Sequence, residues 1–314
     1  MTEVFWVDAD GMSPENSVIQ KIQKLINGSD ALSNLDDGMR VALKINTAEV
    51  GYEYGLRPVF LQTVAADVQQ ATSKSSILCD GLKLIDYRGR LKGTAYQRSA
   101  SSKGYTNATL GGNFAINGGF SGDEGNSYTI RLADSIMGGV EVGTAICRTD
   151  ALMVLSHVTL HPLFGLSGAL LNGGFESLIG KERIRILDGL SPYIFGKDRP
   201  AKESLEKFQR RALEGSLGVR EAMEGRVFYI NYLWDVTTEP EYYPYSNTPI
   251  VPNLGFLASS DPVALDAATY NILCNCKEEY DPVESLTSVN FPRLLSEATD
   301  IGLGTLEYTI GRAS

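Results

Sequence analysis

Short apolar runs alternate with helix-period segments along most of the chain, and that alternation constrains its fold more than any other feature. VFWVDA, VALKIN, SSILCDGL, ALMVLSHV, RVFYINYL and GFLAS each hold a strand's length of apolar residues. Several are apolar on both faces, as strands sandwiched between helices must be. Between them lie helical patterns. Ser13-Pro14-Glu15 reads as a helix start, and Val18, Ile22, Leu25 and Ile26 keep its spacing. Arg57-Pro58 starts another, with Phe60, Leu61, Val64, Ala65 and Val68 facing inward. The β-α-β order predicts an α/β fold of partly parallel mixed sheets covered by helices. The region 110–128 reads as turns around a short strand, NFAIN. A charged, helix-like segment within 183–224 reads as an exposed insert on an otherwise single α/β unit. Asp261-Pro262 opens a late helix, with Asp261 as its cap.

Composition narrows the partners. Net charge is -10 over 314 residues, against the cationic surface that nucleic acid or an anionic membrane requires. The start, MTEVFWVDADG, does not read as a signal peptide, and no run approaches the length of a membrane span. A cytoplasmic protein is expected, with a small-molecule ligand and room for a protein partner or homo-oligomer. The four cysteines, Cys79, Cys147, Cys274 and Cys276, form no C-x-x-C pair, so an iron–sulfur cluster is not expected. Common nucleotide signatures fail. Gly174 to Lys181 has one residue too many for a phosphate loop, and no G-x-G-x-x-G follows a strand.

The candidate chemistry gathers around SHVTLHPLFGLSGALLNGGFESLIGK, which holds both histidines of the chain, His157 and His161. A histidine at a strand end beside a glycine-rich turn suits proton transfer or metal ligation, since ligands sit beyond the carboxyl ends of parallel strands. A hydrogen-bonded pair that merely stabilises the turn fits equally well. Gly165, Gly168, Gly173 and Gly174 permit close backbone approach, and Asn172 offers an amide among them. The short helix between points N–H groups at an anion or simply packs closely. Lys44, Asn46 and Glu49 cluster where VALKIN ends. A lysine late in an apolar strand needs a partner, and Glu49 is one choice. Asp266 sits in a helix apolar all round and likewise needs a partner. Tyr242, Tyr243 and Tyr245 form either a lid or a packed loop.

Laid in order, these segments resemble the prokaryotic family termed domain of unknown function 362. GMRVALKINTAEVGYEYGLRP, CDGLKLIDYRGR, SHVTLHPLFGLSGALLNGG, EGRVFYINYL, TPIVPNLGFLASSDPVALDAA and ATDIGLGTLEY carry the resemblance across nearly the whole chain. Many members carry a cysteine-rich ferredoxin-like insert, but 183–224 holds no cysteine here. A Cys-Asp-Cys element common in that family is replaced by Glu239-Pro240-Glu241. The histidine-to-glycine spacing is also similar to the nickel-pincer lactate racemase family, where a lysine tethers the cofactor. Leu171 stands at that position, so a covalent pincer is not expected. The resemblance and the residues together give an expected crevice. His157, His161 and Lys44 are its catalytic candidates. Asn172, Gly168, Asn46 and Arg57 would bind substrate, and His157, His161 and Glu49 would hold a divalent metal if one is used. Racemase- or isomerase-like proton transfer on a carboxylate-bearing metabolite is one expectation. An accessory role in metallocofactor assembly or electron transfer is the other.

Overall fold

The computed structural model describes residues 2–84, 92–194, 198–276 and 281–313. In chain order the elements are β1 (Thr2–Asp8), α1 (Val18–Gly28), β2 (Val41–Lys44), α2 (Pro58–Thr72), β3 (Ile77–Gly81), α3 (Gly93–Ser102), α4 (Asn107–Leu110) and β4 (Asn113–Asn117). A hairpin of β5 (Gly125–Thr129) and β6 (Gly139–Gly143) follows, then α5 (Thr144–Cys147), β7 (Ala151–His157), β8 (Thr159–His161), β9 (Gly165–Ser167) and α6 (Ala169–Gly173). The rest comprises α7 (Gly180–Leu187), α8 (Lys202–Ala222), β10 (Val227–Leu233), β11 (Gly255–Ser259), α9 (Pro262–Asn275), α10 (Pro282–Thr287), α11 (Phe291–Asp300) and β12 (Tyr308–Arg312).

Eight strands form one mixed sheet in the order β12-β1-β11-β10-β7-β2-β3-β4. The pairings leave β11 alone running against the rest. It returns from β10 through a loop rather than a crossover helix, as an antiparallel neighbour can. Side-chain alternation sends successive residues of each strand to opposite faces. Leu152 and Val154 of β7 enter one apolar cluster, while Ala151, Met153 and Leu155 enter the other. The first cluster is covered by α6, α8, α9 and α11, through Leu170, Phe208, Ala264 and Leu294 among others. The second is covered by α1 and α2, through Leu25 and Val64. The sheet is therefore the middle of three layers, the predicted α/β architecture.

Local departures have local causes. Pro14–Asn16 forms a 3-10 turn, and α1 starts only at Val18, because Ser17 caps it reciprocally with Gln20. Within 183–224, α8 is not a free-standing exposed segment. Phe208, Ala212, Leu213 and Val219 bury one face of it, and Gly218 admits the Val140 side chain at a distance no Cβ would allow. No helix among the described residues is long and apolar enough to cross a membrane.

Candidate functional site

Because β3, β2, β7 and β10 run parallel, their carboxyl ends share one edge of the sheet. The segments leaving that edge carry several buried charged residues, among them Lys44, Asp80 and Lys83. Lys44 ends β2 with no exposure at all, and its partner is Asp80 at the end of β3, 3.2 Å away, rather than the expected Glu49. Lys83 meets the other oxygen of Asp80 at 3.0 Å. The Thr47 backbone N–H (2.9 Å) and the hydroxyls of Thr47 (2.9 Å) and Tyr96 (3.0 Å) donate to that same oxygen. Asp80 is thus the hub around which the ends of β2 and β3 are wired.

A second buried pair lies beside the first. Arg183 of α7 contacts Glu176 at 3.2 Å and donates to the Leu82 carbonyl. A Cβ on Gly81 would lie 3.0 Å from that guanidinium, so the glycine after Asp80 makes its room. Burial pushes the Glu176 carboxyl up, but Lys83, Arg183 and Lys44 outweigh it and hold it below its ordinary value. Among the described residues the cluster joins Lys44, Lys83 and Arg183 to Asp80 and Glu176. The Nε–H of Arg183 is buried and has no hydrogen-bond partner among the described residues. Arg183, Glu176 and Lys83 line a small cavity of about 30 Å³ with His161, Tyr242 and an apolar wall.

The two histidines do different jobs. His157 places Nδ1 3.0 Å from Glu241 and Nε2 2.8 Å from the Trp234 carbonyl. Both partners accept, so both ring nitrogens donate and the ring is an imidazolium. Burial opposes that charge, but Glu241 and the carbonyl outweigh it and hold the pKa above 6.5. With no lone pair left, His157 in this state is neither a base nor a ligand. It fixes the loop that follows β10. His161 is the opposite case. The N–H groups of Leu163 (3.2 Å) and Phe164 (3.1 Å) both donate to its Nδ1, so its proton sits on Nε2 and points at the Tyr242 hydroxyl, 3.0 Å away. Burial pulls its pKa down to about 4. His161 is thus a neutral hydrogen-bond donor at the cavity wall.

A pH prediction follows from His161. Its folded pKa lies below the unfolded 6.5, so its contribution to stability is complete above pH 6.5 and is lost as pH falls toward 4. The full loss across that window is about 3 kcal/mol. Urea unfolding at pH 7 and pH 5 is expected to show a clearly smaller acid loss in His161→Gln than in the parent. Equal losses in both proteins would contradict the neutral assignment.

Of the residues expected from sequence, His161 lines the cavity. Lys44, Asn46 and Asn172 form a hydrogen-bonded chain behind it, with links of 3.0 Å from Lys44 to Asn46 and 3.0 Å from Asn46 to Asn172. Arg57 is not part of the site. It pairs with Asp235 at 2.8 Å near the surface and lies over the Phe60 and Trp234 rings. Gly168 serves Asp266, whose carboxylate a Cβ there would strike, and the Ala169 and Leu170 N–H groups donate to that carboxylate. The anion expected at that helix start is therefore a side chain of the protein, and the partner sought for Asp266 is the same contact. The Glu49 carboxylate accepts from the Val50 N–H and the Ser99 hydroxyl. Among the described residues no group of three or more His, Cys, Asp or Glu is placed to hold a metal, so the expected His157, His161 and Glu49 set is not assembled.

Sequence reasoning gave no site role to Asp80, Lys83, Glu176 or Arg183. Asp80 and Lys83 stood in CDGLK, where an acid closing an apolar strand was the available signal. The rest of that motif, at 85–91, lies outside the described residues. Leu171 is 1% exposed within the apolar cluster. It offers no amine, so the residues present do not fit a lysine-tethered pincer group. Leu171→Lys is expected to cost about 3–5 kcal/mol in unfolding free energy, because it buries a charge with no partner. A variant as stable as the parent would show that an acceptor reaches this position.

One solved structure shares this architecture. The lactate racemase apoprotein from Thermoanaerobacterium thermosaccharolyticum aligns with a TM-score of 0.51 at 13% identity, over 88% of this chain and 57% of that one. A structural-genomics crystal structure of a Thermotoga maritima protein aligns with a TM-score of 0.44 at 13% identity, over 94% of this chain and 60% of that one. The chain thus spans well under two thirds of either. No curated protein is matched by sequence. The profile of the family described as a domain of unknown function (DUF362) matches residues 41–271, most of the chain and every segment that builds the cavity. The chain belongs to the DUF362 family.

Proposed function

We propose that the protein binds a small carboxylate-bearing metabolite in the cavity beside Arg183, as an enzyme of racemase- or isomerase-like proton transfer. One observation carries this reading. Arg183 lines the cavity, and its buried Nε–H has no partner among the described residues. A buried donor without a partner is costly, and an anion would satisfy that hydrogen bond. Lys83 supplies a second cation at the same wall. Glu176 is the carboxylate among the lining residues and the candidate proton acceptor. The Tyr242 hydroxyl, backed by neutral His161, is the candidate donor. A neutral imidazole donor is suited to a developing oxyanion, because it gives up no proton to solvent at neutral pH.

A second reading, a binding or accessory protein without catalysis, is favoured by a specific feature. The cations that anchor Glu176 also make it a weak base. Thermal unfolding with short carboxylates tests what the two readings share. At fixed ionic strength the melting temperature is expected to rise with propionate and not with propionamide, since a ligand of the native state stabilises by mass action. Equal shifts with both would remove the anion site. Exchange of the α-proton of a bound 2-hydroxy or 2-amino acid into deuterated water then separates enzyme from binder.

A further inference from the structure

The two edges of the large sheet are unlike. At one, the outer side of β4 is covered. Its Phe114 N–H donates to the Asn107 side chain at 2.8 Å, and α4 and α5 pack against the strand. At the other, among the described residues, β12 pairs with β1 alone, in parallel, with Val4 beside Ile310 and Trp6 beside Arg312. The Thr2 N–H donates to the Glu307 carbonyl, and the Ala313 N–H to the Trp6 carbonyl. Along a ladder, alternate residues turn both backbone groups to the same neighbour. Thr309 and Gly311 therefore serve β1, while Tyr308, Ile310 and Arg312 turn their N–H and C=O groups outward. Thr309, Ile310 and Arg312 are exposed, and Ile310 keeps 43% of its surface in solvent. The strand, YTIGR, holds neither proline nor lysine, the residues that commonly blunt an open edge.

We propose that β12 is a dimer interface, pairing antiparallel with β12 of a second copy about a two-fold axis at Ile310. Antiparallel strands bond through opposed residues that exchange both hydrogen bonds. With Ile310 opposite its own copy, Tyr308 falls opposite Arg312 of the partner subunit. Every outward N–H and C=O of the strand then gains a partner. A register shifted by two residues leaves one end of each strand unpaired. The side chains favour the same register. Ile310 lies on the sheet face of its ladder neighbour, the buried Val4, and meets its own copy there. Tyr308 and Arg312 share that face by alternation. Opposed Cα atoms are about 5.5 Å apart, so the guanidinium of Arg312 of the partner subunit reaches the Tyr308 ring. Asn271 of α9 fixes that tyrosine by donating to its hydroxyl at 2.7 Å. The contact is isologous and closes at two chains, and the covered β4 edge offers no route to a fibre.

Sedimentation equilibrium of the full chain, from about 1 µM to about 1 mM, reads the dimer directly. The contact of one short strand is small, so a dissociation constant roughly in the micromolar range is expected. Ile310→Lys and Ile310→Glu, each checked for folding by its melting temperature, set like charges face to face at the axis. Each is expected to dimerise about tenfold more weakly than the parent, or worse. Mixing the two variants sets ammonium against carboxylate, and the mixed dimer is expected to be tighter than either variant alone. Ile310→Pro removes an outward N–H and no bond to β1, so a folded monomer is expected. A parent that stays monomeric over that range, a folded variant that dimerises like the parent, or a mixture no tighter than its components would overturn the proposal.

Discussion

Replacing Asp80 with asparagine is expected to destabilise the protein by about 3–5 kcal/mol, the cost of leaving a buried charge without its counterion. The side chain is fully buried and faces the Lys44 and Lys83 ammonium groups at 3.2 and 3.0 Å. Asparagine keeps the shape, so no cavity confuses the result. It removes the charge, and its amide presents N–H where N–H and O–H donors already converge. The effect is electrostatic and its partner is identifiable. Adding Lys44→Met to Asp80→Asn is expected to recover part of the loss, because the buried ammonium goes with its counterion. Urea unfolding of the parent, both single variants and the double variant measures this. Strict additivity would show that Lys44 and Asp80 do not depend on one another.

Arg183→Gln is expected to have the second large effect, on two observables. The guanidinium is 1% exposed and neutralises Glu176, so its loss leaves a buried carboxylate without its ion-pair partner at 3.2 Å and costs about 3 kcal/mol. The same substitution removes the unpartnered Nε–H proposed to meet the anion and is expected to weaken carboxylate binding by at least about thirty-fold. Glu176→Gln in the same chain separates the two. It relieves the unpaired charge, so stability recovers, while affinity for the anion stays low. If affinity recovered along with stability, Arg183 would be holding the fold together and not the ligand.

The sheet was legible because its strands are apolar runs too short to be helices and bounded by turn residues. VALKIN, ALMVLSHV and RVFYINYL became adjacent strands β2, β7 and β10. The site was only partly legible, for a physical reason. Sequence shows that Lys44 and Asp266 need partners but not which ones, because the answers, Asp80 and the Ala169 and Leu170 N–H groups, are 36 and 96 or more residues away and set by strand order. The histidines drew notice as rare residues in a glycine-rich motif. Their opposite charge states depend on whether acceptors or donors surround each ring, and Glu241 arrives at His157 from a loop after β10 that no spacing rule connects to it. Arg183 was read as the start of a charged surface segment. Only the room left by Gly81, and the turn that carries Glu176, bring it inside.

The central claim is that the cavity beside Arg183 is an anion site, and the most direct measurement is the dissociation constant of propionate for the parent and for Arg183→Gln under one buffer and ionic strength. Saturable binding at one site per chain in the parent, weakened at least about thirty-fold in the variant, is the predicted result. Equal affinity in the two proteins, or a parent that binds no carboxylate, would contradict it.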